Sequence, residues 1–351
     1  MSTPSPDREK AVVIGISGPS SSGKTTLARL LQRIFCGVNL HEPTQPKETR
    51  LNTFIIHEDD FYFPDDKIPY TITASGAQIQ DWDTAAAIDI PFLSQALHYV
   101  RSNGTLPPRL RSKEDQNDQT DSGVSDAVVE ELRLAVQERL RTGNGYGGQS
   151  STAVPRIAFL EGFLLFAPPV DQHEGEHVLR SVHDAINLHL FLPAAYGLVK
   201  DRREGRSGYV TVGPAPEPPV QRVGEGGEDG SEADVKINTH VSVDVDLEAE
   251  DDRPPQNFWI DPPGYVDDVV WPRYVRDHAW LLIPEDEDAD ENNGSQTQAE
   301  AEADLVRRVG DGSRVRTDVG VEVAPGCGSA GMDVVLKWAV ELILGYYLNR
   351  R

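Results

Sequence analysis

The chain has 351 residues, enough for two domains, yet only 38% are hydrophobic and 7% aromatic, so one compact core diluted by solvated insertions is expected. A formal net charge of −24 argues against general nucleic-acid binding and against an anionic membrane surface, since both reward clustered Lys and Arg. Cys36 and Cys327 are the only cysteines and offer neither a disulfide framework nor a CxxC metal signature. The polar start carries no secretory signal, and no apolar run approaches the ~20 residues of a membrane span, so a cytoplasmic protein is expected.

Residues 1–10 read as a disordered tail and 11–350 as one domain with flexible insertions at 103–153, 213–256 and 285–315. The first informative stretch is Gly18-Pro19-Ser20-Ser21-Ser22-Gly23-Lys24-Thr25-Thr26, a complete G-x-x-x-x-G-K-S/T phosphate-binding loop. An apolar, β-branched run over residues 11–17 precedes it and reads as a buried strand. Leu27, Leu30, Leu31 and Ile34 follow at helical spacing, predicting a helix to about Cys36. Strand, glycine loop and helix in that order let successive N–H groups converge on a phosphate at a helix N-terminus. Lys24 would reach the β- and γ-phosphates of a nucleotide, and the Thr25 hydroxyl would coordinate Mg²⁺.

A polar loop with Pro43 and Pro46 leads to a second buried strand, Asn52–His57. That strand runs into Glu58-Asp59-Asp60-Phe61-Tyr62. In parallel α/β sheets ligands lie at the carboxyl ends of strands, so one of the two aspartates is expected to act chemically and the other structurally, for example as a cap. Residues 64–80 read as a loop punctuated by Pro and Gly. Asp83 or Thr84 is the expected N-cap of a helix running through the alanines to about Val100, with a restart open at Pro91. Trp82 beside that entrance reads on its own as core packing next to a cap. The stretch 103–153 reads as a solvated insertion carrying one helix over 126–141.

Residues 156–166 form a third apolar run. Its Glu161 follows the pattern of the second acidic motif in phosphate-loop proteins and would hold or order Mg²⁺ and its waters. A fourth strand is expected over 185–192, with His189 as a packed residue. Lys200, Arg202, Arg203 and Arg206 make the densest basic stretch of an acidic protein. Arg202 and Arg206 share a helix face. Such a cluster is usually a solvated face, but a phosphoryl-transfer site needs guanidinium groups, and a mobile lid carrying them would exclude water. The stretch 213–256 is too acidic and too poor in apolar residues to fold alone, with a weak strand open over 241–247. Asp261-Pro262-Pro263-Gly264-Tyr265 is a rigid turn before Val270-Trp271-Pro272. Residues 285–304 are a third acidic stretch. A last strand is possible over 320–324, and a closing helix runs over 332–348.

Taken together, the phosphate loop, Asp59-Asp60-Phe61-Tyr62, Asp81-Trp82-Asp83, Glu161-Gly162-Phe163-Leu164-Leu165-Phe166, the 200–206 basic cluster and Pro-Pro-Gly-Tyr with Val-Trp-Pro resemble the nicotinamide riboside kinases, of the uridine-kinase-like group of phosphate-loop kinases. The match covers roughly half of the chain. The resemblance implies an α/β fold, a parallel sheet flanked by helices with a helical lid. It implies ATP and Mg²⁺ phosphorylating the 5′-hydroxyl of nicotinamide riboside, and nicotinic acid riboside as a further acceptor left open. It places Asp59 as general base and magnesium partner, with Asp60, Phe61 and Tyr62 beside the riboside. It places Trp82 where an aromatic stacks on the cationic pyridinium, Asp83 on the ribose hydroxyls, Arg202 and Arg206 near the ATP phosphates, and Arg203 near the riboside. Asp261 falls close to an acidic position of the family. The long acidic insertion between the basic cluster and Pro-Pro-Gly-Tyr departs from the compact pattern and puts the lid geometry in question. A uridine/cytidine or other small-metabolite kinase and a nucleotide-switched regulatory protein are the alternative readings. A switch would need no base beside the γ-phosphate.

Overall fold

The computed structural model describes residues 9–39, 50–110, 112, 121–142, 156–172, 175–213, 256–283 and 297–349. In chain order the elements are β1 (Val12–Ser17), α1 (Lys24–Phe35), β2 (Asn52–His57), β3 (Tyr70–Ile72), β4 (Gln78–Gln80), α2 (Ile90–Asn103), α3 (Asp126–Thr142) and β5 (Arg156–Gly162). They continue with α4 (Arg180–Ala185), β6 (Leu188–Phe191), α5 (Tyr196–Glu204), β7 (Tyr209–Val212), β8 (Gln256–Trp259), α6 (Trp271–Leu282), α7 (Gln298–Val309), β9 (Glu322–Val323) and α8 (Met332–Asn349).

Five of the strands make one parallel sheet in the order β2-β5-β1-β6-β9. All six residues of β1 are buried, because helices cover both faces of the sheet. Val12, Ile14 and Ile16 join a core with α1, α3 and α8, while Val13 points the other way into a core with α2, α4 and α6. This is the doubly covered α/β sheet expected from the motifs. The parallel register sets Ile16 beside Glu161 and Glu161 beside His57, so the phosphate loop, Glu161 and the segment after β2 all emerge at one edge.

Several local expectations need correction. The α-helix after Trp82 does not start at Asp83 or Thr84: Thr84 precedes only a short 3₁₀ turn, and the α-helix begins at Ile90, beside the restart left open at Pro91. Residues 85–87 form one short 3₁₀ turn, and α2 begins afterwards, capped by Asp89, whose carboxylate accepts from the Phe92 N–H at 3.0 Å. Pro91 fits that first turn, where its missing N–H costs nothing. Asp83 was unavailable as a cap because its carboxylate is engaged elsewhere. The loop over 64–80 contains an antiparallel ribbon, β3 with β4. The helix in the 103–153 insertion packs Val129, Val136 and Leu140 into the core with α1 and α8, and Arg133 donates to the carbonyls of Arg33, Ile34 and Cys36 at the end of α1. Glu9 and Lys10, placed in the tail by composition, are tied to Arg101 at the end of α2.

The third acidic stretch holds the unforeseen helix α7. It begins with a capping box in which Thr297 and Glu300 satisfy each other's backbone N–H groups, and it packs along α6. The basic cluster is followed by a further unforeseen element, the antiparallel pair β7–β8, with Tyr209 opposite Trp259 and Val212 opposite Gln256. The expected weak strand over 241–247 lies outside the described residues, as do residues 1–8.

Candidate active site

The phosphate loop is built by backbone geometry. Gly18 has φ +153°, and a Cβ there would lie 2.3 Å from the Leu192 carbonyl oxygen. Gly23, at φ +97°, precedes α1 and offers no side-chain cap, so the N–H groups of the first turn remain directed at the loop's concavity. Ser21 adopts φ +60°, a conformation few non-glycine residues take. The Ser21 and Ser22 hydroxyls are buried and have no protein partner. A cradle of this form, closed to side chains and lined with unused donors, fits a polyphosphate.

Lys24 is buried and its Nζ donates to the Pro19 carbonyl at 2.9 Å. Burial pulls its pKa down, opposed by the charges of Glu161, Asp59 and Glu58. The Thr25 hydroxyl donates to Glu161 Oε1 at 2.9 Å, and His57 Nδ1 lies 2.7 Å from the same oxygen. Burial would push the Glu161 carboxyl up, but His57, Lys24 and Thr25 together outweigh it and hold the pKa below the usual value. Glu161 is thus an ionised oxygen donor beside a threonine hydroxyl. No cluster of three ligating His, Cys, Asp or Glu side chains exists among the described residues. That donor set fits Mg²⁺, which keeps several waters and takes few protein ligands.

Glu58 has a different task. It is fully buried, and its Oε2 accepts from the Phe163 and Leu164 N–H groups at 2.6 and 3.1 Å. Burial raises its pKa to about 8. A Cβ on Gly162 would collide with this side chain at 2.3 Å, which explains glycine after Glu161. Glu58 therefore splices the turn after β2 to the turn after β5.

A cavity of about 800 Å³ brings the predicted residues together. Its lining includes the loop from Ser20 to Thr26, Asp59, Tyr62, Trp82, Asp83, Glu161, Arg202, Arg203 and Arg206. Asp59 and Lys24 thus face one space and interact electrostatically. Three residues predicted beside the riboside are placed otherwise. Phe61 is in the core against Phe92, with ring centroids 5.0 Å apart. Asp60 is buried and absent from the lining, because successive residues of the 3₁₀ turn Glu58–Phe61 face different directions. Asp261 also stands off the cavity and reaches it through Arg203. Gly18 and Pro19 shape the start of the loop without lining the space.

Another part of the cavity wall is aromatic and paired. Trp82 is buried, its ring 5.4 Å from Tyr62 in an edge-on contact and 5.7 Å from Trp259. Its backbone N–H donates to the Tyr265 hydroxyl at 2.9 Å, so the Pro-Pro-Gly-Tyr turn, with Gly264 at φ +83°, serves to hold the Trp82 backbone. Arg203 bonds Asp83 through both terminal nitrogens at 2.9 and 3.0 Å and Asp261 through Nε at 2.7 Å. Burial raises the Asp83 pKa to about 6, against the pull of Arg203. Arg202 donates to the Gly328 carbonyl at 3.0 Å, and the Arg206 guanidinium lies 5.0 Å over the Tyr209 ring. Lys200 and Tyr196 both bond Asp267, tying α5 to the turn before α6.

Sequence reasoning missed Glu58, Asp65, Tyr209, Trp259 and Tyr265 as site-builders. An extra acid beside Asp59 and a second tryptophan before Asp261 were visible signals. The partners that give them meaning are distant in the chain.

No protein-family model matches the chain. Among curated proteins, a nicotinamide riboside kinase of Schizosaccharomyces pombe is 26% identical over 278 residues, covering 79% of this chain and 83% of that one. Those of Eremothecium gossypii and Saccharomyces cerevisiae are 25% and 23% identical over 271 and 279 residues, covering 77% and 79% of this chain and 77% and 82% of theirs. The resemblance drawn from scattered motifs therefore extends over nearly four fifths of the chain. No described helix is long and apolar enough to cross a membrane.

Proposed function

We propose that this protein phosphorylates the 5′-hydroxyl of nicotinamide riboside, with ATP as donor, yielding nicotinamide mononucleotide. Its likeness to three enzymes of that name makes it a kinase with a hydroxyl acceptor. The finer reading rests on one observation: Asp59 and the Lys24–Thr25–Glu161 group face one cavity whose wall also includes the Trp82–Tyr62 aromatic pair with Asp83.

In this reading the loop N–H groups and Lys24 hold the donor's phosphates, and Arg202 and Arg206, which line the cavity, would spread the charge of the group in transfer. Thr25 and Glu161, with Asp59, would hold Mg²⁺, which neutralises phosphate charge when bound. Asp59 accepts the proton of the attacking hydroxyl, a task that requires hydrogen-bond reach in the substrate complex. Trp82 presents an indole to a cationic ring, attractive by stacking and by cation–π interaction, and Asp83 adds negative charge and accepts from the ribose hydroxyls. A neutral pyrimidine would gain only the stacking. Arg203, which belongs to α5, holds Asp83 in place.

The deciding assay supplies Mg-ATP with nicotinamide riboside, nicotinic acid riboside, uridine and cytidine, and scores the monophosphates. Preferential conversion of nicotinamide riboside is expected. Preferential conversion of uridine or cytidine would replace this reading by a pyrimidine kinase, and ATP binding without any transfer would point to a switch.

A further inference from the structure

Asp65 lies outside the cavity lining, six residues after Asp59, at the start of a short 3₁₀ turn. It is buried, with 3% of its surface exposed. One oxygen of its carboxylate, Oδ2, accepts from the Thr211 hydroxyl on β7 at 2.8 Å and from the Asn257 side-chain amide on β8 at 2.8 Å. Both strands of one hairpin are thus gripped by a single atom. Its backbone carbonyl accepts from Gln80 Nε2 at 2.6 Å, two residues before Trp82. A Cβ on Gly213 would stand 2.7 Å from the Asp65 nitrogen, so the hairpin backbone rests directly on this turn.

Three walls of the acceptor end therefore converge on one residue. The segment carrying Asp59 and Tyr62 leads into it, the segment carrying Trp82 and Asp83 hangs from its carbonyl, and the hairpin carrying Tyr209 and Trp259 is fastened to its carboxylate. Two strands of four residues each, paired among the described residues only with each other, are marginal by themselves and need such an anchor. We propose that Asp65 is a positioning residue of the acceptor pocket: by pinning the β7–β8 hairpin to the segment after Asp59, it sets the spacing of the aromatic walls, and with it the affinity for the riboside. This rests on reading the cavity's aromatic wall as the riboside site.

The test compares the full-length protein with Asp65→Ala, Asp65→Asn, Thr211→Val and the Asp65→Ala/Thr211→Val double variant. Loss of both side-chain bonds in Asp65→Ala is expected to raise KM for nicotinamide riboside about tenfold, with KM for ATP changed less than twofold. Asn keeps an acceptor oxygen and should restore most of the affinity. The double variant should be no worse than Asp65→Ala alone, since both remove one interaction. Amide hydrogen exchange, which needs no substrate, should show lost protection in 209–212 and 256–259 with β1 and β5 unchanged. Unchanged hairpin protection would overturn the proposal, as would a loosened hairpin with an unaltered riboside KM, or equal rises for riboside and ATP. If the unmutated protein converts another riboside instead, the functional reading fails by itself and the same KM ratio is read on that acceptor. If Asp65→Ala does not fold, Thr211→Val, which leaves the carboxylate its Asn257 bond, carries the comparison with an expected rise of about threefold.

Discussion

The two ends of the cavity are built in different ways. The phosphate-loop end is largely local: residues 18–26, with one carboxylate from β5, form its cradle, and the cradle's geometry comes from backbone conformations at Gly18, Ser21 and Gly23. The acceptor end is assembled from four distant segments, around Tyr62, Trp82, Arg203 and Trp259, and is held by side-chain bonds between residues 120 and more positions apart. A local site is robust to insertions elsewhere. An assembled one depends on anchors, and under the proposed function the contrast teaches that damage to anchors should show in riboside affinity while leaving ATP affinity intact.

The comparison can be broken first at the point where the ends meet. Asp59→Asn is expected to lower kcat by about 10²–10⁴-fold with ATP binding retained, as measured by single-turnover transfer and nucleotide titration. Normal turnover would remove Asp59 from the base role. Next is the ion cluster. Arg203→Ala leaves Asp83 and Asp261 without their shared guanidinium in a buried setting, so stability should fall by about 3–5 kcal/mol in urea unfolding. Trp82→Ala should raise riboside KM roughly tenfold and ATP KM little; an equal effect on both would place Trp82 in the core alone.

A pH series sharpens the contrast further. The native Asp83 pKa is raised to about 6, above the ordinary carboxylate value near 3.9, so the folded protein binds this proton more tightly than the unfolded chain. This group's contribution to stability therefore grows as pH falls through 6 toward 4, and is lost as pH rises through 6. Under the proposed function riboside affinity should run the opposite way: protonated Asp83 loses its charge, and KM for the riboside should rise below about pH 6 while the fold holds. An Asp83→Asn variant should flatten that limb of the profile. The smallest effect is expected from the insertion. Because Val212 and Gln256 are paired neighbours, replacing residues 214–255 by an Asn-Gly turn should keep both KM values within twofold. A collapse of riboside affinity would show that the insertion itself builds the pocket.

That pairing also answers the question raised by the acidic insertion. In the linear chain, 213–256 separates the basic cluster from Pro-Pro-Gly-Tyr. In the fold its two ends meet at the end of a hairpin, so Arg203 and Asp261 still bond. The capping box at Thr297 was readable and was hidden by the acidic composition around it. The hairpin strands were not, because four-residue strands carry little periodicity and their partners lie across the insertion.

From its order of residues alone, this protein declared its phosphate loop, its central strands and the acids at their tips. Those features arise from short-range rules: glycine's freedom at positive φ, β-branched runs buried on two faces, and a helix that begins where the loop ends. Tertiary structure alone decided which acid is buried as a splice, as in Glu58, which faces the cavity, as in Asp59, and which anchors a hairpin, as in Asp65. Neighbouring carboxylates are chemically alike in the chain. Their roles diverge only when folding gives each a different set of donors and a different access to water.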